Sequence, residues 1–144
     1  MAPRQILIVA NQTAIGDHLK RLVRERMEAG PCAFTLLVPA SAPHGTLTYT
    51  DEEVVEGARE RLRQALEALR EIGADIEGHV EVASPAEAVE ALMQIETFAH
   101  HDKFDEILVS TFPPGVSRWL KQDLPHRLER RYGIPVTHVI GDAP

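Results

Sequence analysis

Ser84-Pro85-Ala86-Glu87-Ala88-Val89 opens a helix, and Phe104-Asp105-Glu106-Ile107-Leu108-Val109 opens a strand; the passage from one to the other decides the fold. Ser can cap a helix, Pro favours the first helical position, and Glu three residues after Ser completes a capping box. Val89, Leu92, Ile95 and Ala99 then recur at helical spacing and supply one buried stripe. Ile107-Leu108-Val109 is apolar without alternation, as a strand must be when both of its faces are covered.

The same alternation extends outward in both directions. Toward the N-terminus, Gln5 to Ala10 is a second continuous apolar run, followed by Ile15, Leu19, Leu22, Val23 and Met27 at helical spacing up to Gly30-Pro31. Phe34 to Val38 predicts another buried strand, ended by Pro39. A loop rich in Pro, Ser, Gly and Thr leads to the longest helix, where Val55, Ala58, Leu62, Ala65, Leu69 and Ile72 form the stripe and Gly73 the stop. The exposed face of that helix carries both signs of charge and is expected to be a solvated surface. Ile76 to Val82 alternates polar and apolar residues, which suits a strand at a sheet edge. After Val109, a broken helical stretch runs to Tyr132-Gly133, and Pro135 to Ile140 is the last strand.

Five strands alternating with helices predict an α/β protein with a five-stranded parallel sheet, helices on both faces and right-handed crossovers. Such sheets bind ligands outside the carboxyl ends of the strands, where the strand order reverses. The segments that carry chemistry are therefore Asn11 to Ile15, Pro39 to Thr46 and Ser110 to Trp119.

Bulk properties limit the function classes. A chain of 144 residues fits one domain, 1–144, and can bury roughly 68–70% of its unfolded surface without staples. Cys32 is the only cysteine, which excludes an internal disulfide and two-cysteine metal sites. The net charge of −7 opposes general nucleic-acid affinity. The first apolar run is too short for a signal-peptide core or a membrane span, so the expected setting is cytoplasmic and unanchored.

Three patterns resemble the universal stress protein family: the opening strand Ile6-Leu7-Ile8-Val9-Ala10-Asn11; Ser84 to Val89 leading to the Asp-led strand Phe104 to Val109; and Leu128 through Gly133-Ile134-Pro135-Val136. The resemblance implies strand order 3-2-1-4-5, with the reversal between the first and fourth strands. It also marks two departures. The family usually ends its first strand in Asp, where this chain has Asn11. Nucleotide-binding members carry a loop of the form G-x2-G-x9-G-[ST] after the fourth strand. Here Ser110 falls at the first Gly and Gln122-Asp123 at the closing pair, with only Gly115 remaining between them. Pro113 and Pro114 remove two N–H donors from the same stretch, and side chains replace glycines that would let backbone approach phosphate.

The candidate ligand- or nucleotide-binding residues are Ala10, Asn11, Thr13, Val38, Ser110, Thr111, Gly115, Ser117 and Arg118. Ser117 can cap a short helix, and Arg118 offers a planar cation beside it. Asn11, Gln12 and Thr13 offer amides and a hydroxyl but no carboxylate for Mg²⁺, and capping of the next helix by Thr13 is the competing account. Asp123 is expected to cap the last helix, with Pro125 in its first turn. A carboxylate there would also repel a polyphosphate, by roughly 4 kcal/mol per charge pair at 4 Å. Trp119 and Leu120 are expected to pack in the core. Arg130 and Arg131 complement a helix dipole, as do Asp51, Glu52 and Glu53. His100-His101-Asp102 lacks the geometry of a metal site, and His126 and His138 have no Ser or Cys partner that the sequence reveals. No catalytic residues and no metal are expected. The resulting expectation is a non-enzymatic, stress-linked binding or regulatory protein, dimeric through the 135–140 strand. The alternative is an ATP- or AMP-binding protein with an altered phosphate loop and slow hydrolysis.

Overall fold

The computed structural model describes residues 3–11, 13, 14, 16–40, 51–100, 104–112, 119 and 123–141, without the side chains of 51 and 95–100. Five strands and four helices alternate in it: β1 (Arg4–Val9), α1 (Asp17–Ala29), β2 (Cys32–Pro39), α2 (Asp51–Glu71), β3 (Ile76–Glu81), α3 (Pro85–His100), β4 (Glu106–Thr111), α4 (Leu124–Tyr132) and β5 (Val136–Ile140). All strand pairs are parallel, and the order is β3-β2-β1-β4-β5. The strand order is the one the resemblance implies, and the edge position of β3 agrees with its alternating sequence.

Alternation along the central strands divides the core into two layers. Ile6, Ile8, Leu36, Val38 and Leu108 face α1 and α2, where Leu19, Val23, Ala58, Ala65 and Leu69 are buried against them. Leu7, Val9, Leu37, Ile107 and Val109 face α3 and α4, meeting Val89, Leu92, Leu124 and Leu128. Two buried faces explain why these strands carry no alternating polarity. Each Leu, Ile or Val so buried contributes about 1.5–3 kcal/mol. Trp119 packs against the second layer as expected, whereas Leu120 lies outside the described residues.

Polar contacts fix the register at the amino ends of the strands. The Gln5 N–H donates to Asp105 Oδ2 at 2.8 Å, and Asp105 N–H returns a bond to the Gln5 carbonyl, which locks β4 against β1. Glu106 is buried beneath α1 and accepts from Arg26 Nε at 2.8 Å, Arg26 Nη2 at 2.9 Å and the Thr137 hydroxyl at 2.7 Å. Burial raises the pKa of this carboxyl, but the Arg26 and Thr137 hydrogen bonds and the Arg26 and Arg4 charges outweigh it. The net effect is a pKa below the ordinary value.

Two helix starts differ in detail from the sequence expectation. At Ser84, Oγ accepts from the Glu87 N–H at 3.3 Å and donates to Glu87 Oε1 at 3.0 Å, so the box closes through the two side chains. Asp123 stands at the N-cap of α4 but forms no side-chain cap. Its backbone is left-handed (φ 56°), a region Asp tolerates better than most residues, and this turns the carboxylate toward His126 Nδ1 at 2.8 Å. Arg131 pairs with Glu90 of α3 at 3.3 Å, a tertiary contact beyond dipole complementation.

Candidate functional site

The strand order reverses between β1 and β4, so their carboxyl ends lie side by side in register, Ile8 beside Leu108 and Val9 beside Val109. Chain connectivity delivers the first turns of the following helices to the same edge. A cluster forms there. Thr13 Oγ1 and Ser110 Oγ are 2.6 Å apart, and Ser110 Oγ is 2.9 Å from Nε2 of His18 in the first turn of α1. Both hydroxyl residues are buried. The three side chains can act as a donor chain, each hydroxyl passing one hydrogen and accepting another. The His18 ring also packs against backbone at Gly16 and Gly141, where an added Cβ would overlap the imidazole. Gly141 is held beside it by its own N–H bond to the Thr111 carbonyl at 2.7 Å.

Asn11 lies toward β2. Its Nδ2 donates to the Pro39 carbonyl at 2.9 Å, which ties the ends of β1 and β2 together. Its Oδ1 accepts from Arg61 Nε of α2 at 2.9 Å. Burial pushes the Arg61 guanidinium below its ordinary pKa. Arg61 thus departs from the expectation that the charged residues of α2 form only a solvated face, because half-burial turns it onto the strand ends.

Thr111 follows Ser110 and therefore points to the other face of the sheet. There its Oγ1 donates to the Phe112 carbonyl at 2.9 Å and meets His138 Nε2 at 2.6 Å. With its hydrogen committed to Phe112, the hydroxyl accepts from His138, which fixes the Nε2–H tautomer. Burial lowers the His138 pKa.

Of the residues proposed from sequence, Asn11, Thr13 and Ser110 converge on one edge. Ala10 and Val38 are buried beneath it, with Ala10 N–H bonded to the Leu37 carbonyl at 3.2 Å. Thr111 is separated from the cluster by the sheet. Thr13 does not cap α1, whose N-cap is Gly16. Gly115, Ser117 and Arg118 lie outside the described residues, as do Gln12, Pro113, Pro114, His101 and Asp102. His138 meets the hydroxyl of Thr111, a residue type outside the Ser and Cys partners weighed from the sequence. The sequence reading missed His18 and Arg61. Position was the available signal for His18, since the first turn after a strand must sit at the carboxyl edge. Among the described residues, no group of three or more His, Cys, Asp or Glu could hold a metal, and no helix is long and apolar enough to cross a membrane.

No family model and no curated protein sequence matches the chain significantly. Solved structures do match it. A universal stress protein from Archaeoglobus fulgidus superposes with a TM-score of 0.60 at 20% identity, over 96% of this chain and 95% of that one. The universal stress protein from the same organism in complex with dAMP gives 0.60 at 18%, over 96% and 99%. A universal stress protein in complex with cAMP gives 0.57 at 20%, over 98% and 99%. The chain therefore has the universal stress protein fold.

Proposed function

We propose that this protein is a non-catalytic, stress-linked binding protein of the universal stress protein type, whose reversal-point site takes an adenosine monophosphate in preference to ATP. One observation carries the reading: Asn11, Thr13, Ser110 and His18 present amide, hydroxyl and imidazole groups together at the carboxyl edge where β1 meets β4. Such groups suit a ligand rich in hydrogen-bonding atoms. Two structures of the same fold were solved with dAMP and cAMP, both monophosphates, which supports this class of ligand.

Discrimination against ATP follows from the chain's own composition. The segment after β4 has Gly115 as its lone glycine and carries Pro113 and Pro114, so it supplies few N–H groups with room for a polyphosphate. Asp123 adds a carboxylate near its end. Absence of turnover is part of the proposal, because the Ser110 hydroxyl is buried and bonded to Thr13 and His18. We also propose pairing of two copies through β5. It is an edge strand with half-buried side chains and an exposed Ile140, and a partner strand would satisfy its outer backbone groups. Calorimetric titration with AMP and with ATP tests the ligand preference. Light scattering tests the pairing.

A further inference from the structure

We propose that Arg61 is the anion-recognition residue of the reversal-point site, receiving a phosphate of the ligand beside Asn11, on the β1–β2 side of the edge. The inference deepens the nucleotide-binding reading for the identity of the ligand, but the anion site itself stands on separate observations.

The first is the missing counter-charge. Arg63, two residues on and so on the opposite side of the same helix, is exposed and paired with Glu60 at 2.6 Å and Glu67 at 3.1 Å. Arg61 has Gly57 and Ala58 on one side and Gln64 and Ala65 on the other at helical contact spacing, none of them acidic. Among the described residues no carboxylate pairs with it, and its Nε donates to the neutral Asn11 amide. The chain from Ala40 to Thr50, which leaves β2, and from Phe112 to Gln122, which leaves β4, contains no Asp or Glu.

The second is placement. The guanidinium folds back along its own helix, with Nη1 3.4 Å from where a Cβ at Gly57 would sit. Nε is spent on Asn11, which orients the fork at the ends of β1 and β2 and leaves the Nη groups to bind. A half-buried cation with only a dipolar partner is costly, and a guanidinium matches phosphate oxygens with two parallel N–H bonds. β1 and β4 are adjacent strands, about 4.8 Å apart, so the Asn11 side chain that holds Arg61 and the Ser110 cluster lie at neighbouring strand ends.

The third is the residue it touches. Asn11 stands where the resembling family usually has Asp. A carboxylate there would neutralise Arg61; the amide keeps its charge available.

The test follows the Arg61 Nε–H signal by ¹⁵N NMR while the whole protein is titrated with inorganic phosphate, AMP, adenosine and, at equal ionic strength, chloride. The signal is expected to shift with phosphate and AMP and to stay fixed with adenosine and chloride. Arg61→Gln should weaken AMP binding about 10- to 100-fold and adenosine binding far less. Asn11→Asp, which gives Arg61 an internal partner while giving up the Nδ2 bond to the Pro39 carbonyl, should abolish the phosphate response in a folded protein. AMP binding equally to the original and Arg61→Gln would overturn the inference and leave the nucleotide reading intact. A phosphate response with no binding of AMP or adenosine would uphold the anion site and overturn the nucleotide reading. An unmoved Arg61 signal with both phosphate and AMP, or an equal shift with chloride, would overturn the inference.

Discussion

Ser110 Oγ lies 2.9 Å from His18 Nε2, although 92 residues separate them in the chain. The contact ties the carboxyl end of β4 to the first turn of α1, and Thr13 completes it from the segment after β1 at 2.6 Å. Three elements thus meet through side chains at the one edge where the sheet order reverses.

Ser110→Ala should destabilise the protein by about 1–3 kcal/mol, because Thr13 and His18 would lose a partner in a buried site. Urea unfolding measures this. A change within about 0.5 kcal/mol would mean that water replaces the hydroxyl and that the cluster is already open to solvent.

Glu106 gives an acid-side dependence. Its folded pKa is depressed, so its contribution is fully present above the ordinary Glu value of about 4.3 and is lost as pH falls from there through the folded pKa. Glu106→Gln leaves Arg26 without a counter-charge and should cost about 2–3 kcal/mol at pH 7, with a smaller loss in the most acidic buffers. Denaturant midpoints of both proteins from pH 7 to pH 3 check the convergence.

The pattern of what could be anticipated has a physical basis. Apolar runs such as Ile6 to Val9 and Ile107 to Val109 must be buried on both faces, so strands, helix order and layers were legible from them. The order 3-2-1-4-5 came through the family resemblance, since periodicity carries no information on which strands are neighbours. Ser110, Asn11 and Thr13 were legible because they lie at or just beyond the carboxyl ends of strands. His18 and Arg61 were not, because they sit on helices and reach the edge only through tertiary packing. In the sequence, Arg61 is set apart from Arg63 by the absence of acidic residues at contact spacing, a faint mark, since Arg63 has Glu60 and Glu67 within reach. The Asp123 cap failed because helix-start patterns do not specify the backbone angle at the cap.

His138 acts in a different pH window. Its folded pKa lies below its ordinary value, so the unfolded chain takes up the proton first; stability is full above about pH 6.5 and falls as pH drops through that value. His138→Gln retains a nitrogen donor for Thr111 and should flatten the stability profile between pH 7 and pH 5. An unchanged slope would assign that titration to other groups.

Pairing through β5 predicts that Val139→Lys yields a folded monomer. Val139 is the better site than Val136, whose side chain also packs on the α3–α4 layer. Multi-angle light scattering of the original should give twice the 16.0 kDa chain mass, and the variant the single mass. A dimer that persists in the soluble variant would remove β5 from the interface.

The preference for a monophosphate is the central claim, and isothermal titration calorimetry with AMP and with ATP–Mg²⁺ on the same protein tests it most directly. The account predicts saturable AMP binding with a Kd at least tenfold below that of ATP, a difference of about 1.4 kcal/mol. ATP binding as tightly as AMP, or no heat with AMP into the millimolar range, would contradict it.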